Sequence, residues 1–351
     1  MYSKIYRVSI LIIFTSLISG CSNNEGEPLD LYGSWDFVGL EDLWINQVNR
    51  INGTLFFSTE NGINIYDSPD FREFGLQGKS VVNTVAIPDG EFLAVAHSIH
   101  GDSQDTTIFK TINSGEIWIP FMTNYGGNQN EYTSTRCMDN TPENTSVIHT
   151  CVFGSLAETK NAGNSWDITY GEVWGTLGIT YFTKASETTI WAGGENAIFQ
   201  PTVMRSDDGG ETWVNLQANL QIYEDIFFEA EARDIVNKEG TSSQLLLGLT
   251  TGVFKSKDNG ETWSNVFEDI EVLTFTKSYR NPEIIYASGA NNEGNLFFVA
   301  SHDFGNTWDT VEYETGPTGI HVNDMVSELE EGKEVLYFAT NQGVYSYTFE
   351  E

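Results

Sequence analysis

Eight side chains of this 351-residue sequence carry binding or proton-transfer chemistry at positions with no evident structural duty: Trp44, Tyr125, Arg136, Trp174, Tyr223, Arg233, Asp234 and Asp324. Exposed indole and phenol rings stack on sugar rings or hold a peptide, and guanidinium groups pair with carboxylates. Two carboxyls about 5 to 10 Å apart cleave glycosidic bonds, so Asp234 and Asp324 are read either as catalytic acids or as part of a hydrated polar axis. For the aromatic residues the alternative is packing, as a plug or between structural units.

The chain holds five histidines, at 97, 100, 149, 302 and 321, without ligand spacing, and it lacks a zinc helix motif, a P-loop and a G-x-S-x-G elbow. No metal or cofactor is expected. Fifty acidic residues against 17 basic ones give a formal charge of -33, which disfavours phosphate backbones and anionic lipid, so nucleic acid is not an expected partner. A solvated acidic surface explains the excess, and no EF-hand loop is present.

These candidates sit between the units of a repeat. Its most regular part is S-x-D-x-G-x-T-W: Ser206, Asp208, Gly210 and Trp213; Ser256, Asp258, Gly260 and Trp263; Ser301, Asp303, Gly305 and Trp308. Weaker copies are "TINSGEIW" (111–118) and "TKNAGNSW" (159–166), and "SPDFREF" (68–74) sets Phe74 near the tryptophan position. In each, Asp or Asn is expected to bond a backbone N–H two residues on while Gly takes positive φ, so the chain reverses between strands. The Trp then returns apolar surface to the sheet, worth about 2 to 3 kcal/mol when buried.

Three further short strands accompany each copy, as in "EVLTFTK" (271–277), "EIIYASG" (283–289) and "NLFFVAS" (295–301). Four strands per unit of about 46 residues is a propeller blade. Seven units fit between 31 and 351, the last of them lacking its fourth strand. "GSWDFVG" (33–39) reads like "NSWDITY" (164–170), so Trp35 is predicted to complete blade seven. The expected fold is an all-β, seven-bladed propeller with four-stranded blades, a single domain over 31–351 closed by its N-terminal strand. The longest connections from one blade to the next, 121–136 and 217–235, carry Tyr125, Arg136, Tyr223 and Arg233, and such connections surround the channel mouth.

The repeat resembles the Asp-box of sialidase-type BNR proteins, with a pattern closest to the single rings of the photosystem II assembly-factor and sortilin-like groups. That resemblance implies a noncatalytic platform for a protein or glycan ligand, with a carbohydrate-cleaving enzyme as the second reading. BNR sialidases use an arginine triad and a tyrosine nucleophile; this chain has seven arginines and no R-I-P sequence in its first blade.

The first 20 residues read as an export signal: two positive charges, an apolar run of eleven too short to span a bilayer, then "ISGC". This resembles a bacterial lipobox and implies lipid on Cys21, with 21–30 as a flexible tether. "SNNE" after the cysteine is similar to the surface-export signal of Bacteroidetes lipoproteins. The expectation is therefore a monomeric outer-membrane lipoprotein of a Gram-negative bacterium, facing outwards and touching the membrane only through that lipid. Cys137 and Cys151 fit either a cross-hairpin disulfide or two reduced core thiols.

Overall fold

The computed structural model describes residues 31–350, except 99–106, 122, 124, 126–134, 142–143, 153, 172–176, 187, 197–199, 221–229 and 269. Seven four-stranded antiparallel sheets form blades one to seven, covering 45–75, 79–121, 135–171, 177–215, 232–267, 270–312 and 322–349. The last of these has three strands of its own, and its fourth is the N-terminal strand Gly33–Gly39, with Trp35 opposite Tyr347. The ring is thus closed by its two chain ends sharing one sheet.

The blades bury apolar side chains on both faces of their middle strands, so "LLLGL" (Leu245–Leu249) and "FFVAS" (Phe297–Ser301) are buried at every position. One seam shows the plan: Leu246 and Val253 of blade five meet Val272, Phe275, Phe297 and Val299 of blade six. The tryptophan that ends each hairpin motif closes the seam towards the preceding blade. Trp213 of blade four packs with Cys151 and Leu156 of blade three, and Trp263 of blade five with Trp191 and Val203 of blade four.

Blade one has no such tryptophan. Its counterpart is Phe71, packed with Phe57 and Tyr66 against Tyr337 of blade seven. Phe74, which the sequence set near that position, faces the opposite seam against Phe56, Phe92 and Trp118.

The hairpins also differ from expectation in their bonding. Asp208 does not bond two residues on; its Oδ1 accepts from the N–H of Thr212 and its Oδ2 from the Thr212 hydroxyl, at 2.8 and 2.5 Å. The bond two residues on belongs to Ser206, whose Oγ accepts from Asp208 N at 3.3 Å and from Gly210 N at 2.8 Å. The same arrangement recurs around Ser256 and Asp258, and around Ser301 and Asp303. The Thr212 bonds hold the Asp208 carboxyl below its usual range.

Glycine is needed twice over at 260. Its φ is +80°, and a Cβ there would lie 2.9 Å from the Trp191 ring of the neighbouring blade.

A second brace was not read from the sequence. The residue between Asp and Gly takes positive φ, as at Asn259 and Phe304, and its carbonyl turns towards the preceding blade. There the residue before that blade's own serine meets it: Arg205 Nη1 donates to Asn259 O at 2.6 Å, and Lys255 Nζ donates to Phe304 O and, at 2.9 Å, to Asn306 Oδ1. Lys255 is only 4% exposed, and burial pushes its ammonium down to about 8. Lys255→Met would leave the Phe304 carbonyl unpaired in the seam. A loss of about 1 to 3 kcal/mol in urea-denaturation stability is expected, against less than about 0.5 kcal/mol for the same change at an exposed lysine such as Lys333.

Candidate functional site: the central channel

The seven innermost strands begin on one face of the ring, here the upper, and each carries a β-bulge within its first residues. The register shifts fall between Ile45 and Gln47, Val81 and Asn83, Thr135 and Cys137, Ile179 and Tyr181, Ala232 and Asp234, Val272 and Thr274, and Val322 and Asp324. A bulge inserts one unpaired residue and re-aims its neighbours. The inserted residues, Asn46, Val82, Arg136, Thr180, Arg233, Leu273 and Asn323, all line a central cavity of about 440 Å³, and so do the residues that follow them.

Amide and carboxyl side chains from the bulges stitch neighbouring blades together around this cavity. Asn46 Nδ2 donates to Val81 O at 2.6 Å and Asn323 Nδ2 to Ile45 O at 2.8 Å. Asn83 Nδ2 and Asn49 Nδ2 converge on Gln47 Oε1 at 2.8 and 2.9 Å. Asp234 Oδ2 accepts the N–H of Phe275 in blade six and its Oδ1 that of Ile235, both at 2.7 Å. Asp324 repeats the pattern across the seam where blade seven meets blade one, accepting Val48 N of blade one at 3.1 Å, Met325 N at 2.9 Å and the Thr274 hydroxyl at 3.1 Å.

Burial pushes the Asp234 carboxyl up to about 7, against the pull of its two backbone donors, with the charges of Asp324 and Asp139 adding to the rise. Asp324 is pushed up to about 6 by the same desolvation, opposed by its donors. Desolvation outweighs hydrogen bonding at both positions. Both oxygens of both carboxyls are engaged by backbone, which makes each a clamp between blades.

The two arginines are brought to the cavity on bulges in blades three and five. Arg233 Nη2 pairs with Glu231 at 3.0 Å and lies 3.9 Å from Glu271. Burial raises the Glu231 carboxyl and the Arg233 charge lowers it. Trp44 stands one residue before the first inner strand, on the upper rim, with 42% of its surface exposed. Its N–H donates to Glu60 Oε1 at 3.2 Å and its carbonyl accepts from Glu60 N at 2.9 Å, so the indole is carried on a fixed backbone.

Tyr125 is not at the mouth. It is 3% exposed, its hydroxyl lies 3.2 Å from Thr135 Oγ1, and its ring meets Trp166 edge-on at 5.4 Å in the seam between blades two and three. Trp174, Tyr223 and Cys21 lie outside the described residues. Cys137 and Cys151 are cross-strand partners joined as a disulfide, with Cα atoms 5.1 Å apart, and Cys137 forms part of the channel wall. Among the described residues no group of three His, Cys, Asp or Glu side chains is arranged to hold a metal ion.

Sequence reasoning missed the amides Asn46, Gln47, Asn49, Asn83 and Asn323, and also Arg50. Their signal is a pair of adjacent polar residues inside an otherwise alternating strand, as in I-N-Q-V, A-R-D-I and V-N-D-M at 45–48, 232–235 and 322–325.

No family model matches the chain, and no curated protein matches it. Solved structures do. A GH74 enzyme from Niastella koreensis is 16% identical, with a TM-score of 0.64 over 89% of this chain and 53% of its own. YCF48 from Cyanidioschyzon merolae is 10% identical, with a TM-score of 0.62 over 90% of this chain and 98% of its own. The extracellular domain of BT4673, a one-component system of B. thetaiotaomicron, is 9% identical, with a TM-score of 0.65 over 90% of this chain and 40% of its own. This chain therefore spans about half the length of the GH74 enzyme. At these identities the likeness concerns the fold.

Proposed function

We propose that the chain is a noncatalytic binding propeller that holds a protein or glycan ligand at the upper mouth of its channel, carried on the outer face of an outer membrane by lipid on Cys21. The observation behind this reading is the state of Asp234 and Asp324. A general acid must present an oxygen to its substrate, whereas these two spend both oxygens on backbone and side-chain donors of adjoining blades.

What the upper mouth offers is contact surface: an exposed indole at Trp44 on the rim, ion-paired guanidinium at Arg233, and a cavity wall rich in amides. Solved relatives of the fold include both kinds of protein, a YCF48 bound to D1 peptide and GH74 enzymes. Trp174 and Tyr223 belong to the same set of connections by sequence and are proposed as further contacts.

A glycan array and a hydrolysis screen on the purified protein separate the alternatives. Retention of a ligand without turnover, weakened at least about tenfold in Trp44→Ala, is the expected result; an aromatic anchor typically carries that much. Turnover that disappears in Asp234→Asn or Asp324→Asn would overturn the binder and establish the carbohydrate-cleaving reading.

A further inference from the structure

The chain enters the ring at its lower end, where the inner strands finish. Gly33 opens the closing strand beside Phe349, and Gly39 ends it at the upper end beside Val344. Leu31 is held at the lower rim of blade seven by the hydroxyl of Tyr347, which donates to its carbonyl. On the reading that Cys21 carries lipid, the ten residues from Cys21 to Leu31 tie that rim to the membrane. A relaxed chain of that length spans about 17 Å, whereas an inner strand of nine residues such as Val322–Glu330 is about 30 Å long. The tether therefore draws the lower end towards the lipid and leaves the upper mouth facing away.

The same end carries apolar surface that the fold does not need. In the outer hairpin of blade two Ile112 lies opposite Ile117, and Ile119 is two residues further along the strand, so the three share one face. They are 44, 48 and 41% exposed. The other hairpins serve as controls: the repeat sets Lys160, Ser165 and Asp167 at these positions in blade three and Lys257, Thr262 and Ser264 in blade five. Blades four and six again have threonine in the middle position, and Val214 of blade four is the single apolar residue among them. Nor does the turn of blade two use its isoleucines. Glu91 Oε2 holds it instead, accepting the Thr111 hydroxyl at 2.6 Å and Ser114 N at 3.3 Å.

Tyr32 beside the entering chain, Tyr279 after the inner strand of blade six and Leu329 near the end of that of blade seven are also exposed at the lower end. At the upper mouth, among the described residues, Trp44 is the one large apolar side chain so exposed. Three half-exposed isoleucines fall well short of the roughly 800 Å² that each side of a stable protein interface buries. A lipid surface takes apolar side chains singly and needs no complementary shape. The acidic excess of the chain opposes anionic headgroups, so the surface that fits is zwitterionic.

We propose that the lower end of the ring is a membrane-contacting face, on which Ile112, Ile117 and Ile119 of blade two enter the lipid surface as a foothold beside the lipid on Cys21. The orientation rests on that lipid, and the foothold rests on the blade two hairpin. Together they point the upper mouth at ligands arriving from the medium and not at components of the same membrane.

The test reconstitutes the purified full chain on phosphatidylcholine vesicles that carry a nitroxide-labelled lipid, with a bimane fluorophore on Glu116→Cys in the blade two turn or on Glu314→Cys in the upper connection from blade six to blade seven. Both residues are exposed, and neither substitution touches an isoleucine. Quenching at 116 at least about fivefold stronger than at 314 is expected. Adding Ile112→Lys, Ile117→Ser and Ile119→Asp, the residues blade three carries there, should bring quenching at 116 down at least about threefold. Flotation of the vesicles separates the two premises. A chain that floats with equal quenching at the two labels, or with more at 314, overturns the membrane face and leaves the lipid on Cys21 standing; a chain that does not float overturns both. Self-association that the three substitutions abolish, without quenching at 116, would assign the hairpin to a second copy and overturn the proposal. Because 116 and 314 are compared with all three isoleucines in place, the question is decided even where the triple variant fails to fold.

Discussion

Alanine at Trp35 is expected to lower the unfolding free energy by about 3 kcal/mol or more, the range for removing a packed tryptophan. Trp44→Ala, which removes an exposed ring, is expected to change it by less than about 1 kcal/mol. The difference follows from what each ring touches. Trp35 stacks on Tyr313 at 5.6 Å with the planes 9° apart, and meets Phe338 and Tyr347 at 5.0 Å and Phe298 at 5.8 Å.

Its strand has a further burden. The other six blades complete their sheets from continuous chain, but blade seven depends on Gly33–Gly39 returning from the opposite terminus. Tyr347 donates its hydroxyl to Leu31 O and Glu350 N donates to Tyr32 O, so the two ends are held at several points. Loosening them exposes the edge of 343–349 to solvent. Hydrogen exchange should therefore show amides of 343–349 losing protection in Trp35→Ala before those of blade four, where the Trp213 brace is untouched. Equal loss in both blades, or a stability change below about 1 kcal/mol, would contradict this account of closure.

The fold was legible because its signal is repeated: S-x-D-x-G-x-T-W marks a turn, and the spacing of its copies fixes the blade count. Even the fourth strand of the last blade could be found, since Trp35 follows a glycine and a serine as Trp166 follows an asparagine and a serine. Phe74 was misplaced because blade one's hairpin is degenerate, and with no tryptophan to set the register, either Phe71 or Phe74 satisfied the pattern.

The site was less legible for a different reason. Long connections predict where a mouth is, but a side chain in them is free to turn inwards, as Tyr125 does into the seam with Trp166. Arg136, Arg233, Asp234 and Asp324 reached the channel because they lie on inner strands, where alternation and the bulge decide direction. The same two polar residues in succession mark Asn46 with Gln47 and Asn323 with Asp324, so the amides follow the rule that places the charged residues. Which groups become clamps depends on donors 41 or more residues away in another blade, such as Phe275 N for Asp234, and no local pattern encodes that partner.

These clamps make the protein's stability depend on pH in a direction opposite to that of ordinary ion-paired carboxylates. In the unfolded chain Asp234 and Asp324 titrate near the usual value of about 3.9, whereas in the folded ring they titrate at about 7 and about 6. Between those limits the native state binds more protons than the unfolded one, so the contribution of these groups is fully present below about pH 4 and is lost as pH rises through 6 and then 7. Between them the loss is on the order of a few kcal/mol.

The surplus of acidic surface charge also weakens the ring as pH rises, so wild-type stability alone does not isolate the clamps. The difference between wild type and Asp234→Asn does, because the surface is common to both. An amide at 234 turns one nitrogen towards a backbone N–H and should cost most at pH 5, where the wild-type carboxyl is protonated, and less at pH 8. The two carboxyls are also coupled, since the Asp324 charge helps to raise Asp234. Asp324→Asn should therefore lower the Asp234 midpoint, read by carbon-13 NMR of the carboxyl. A gap between wild type and Asp234→Asn that widens from pH 5 to pH 8, or an Asp234 midpoint that rises when Asp324 is neutralised, would show that hydrogen bonding and not desolvation governs the channel wall.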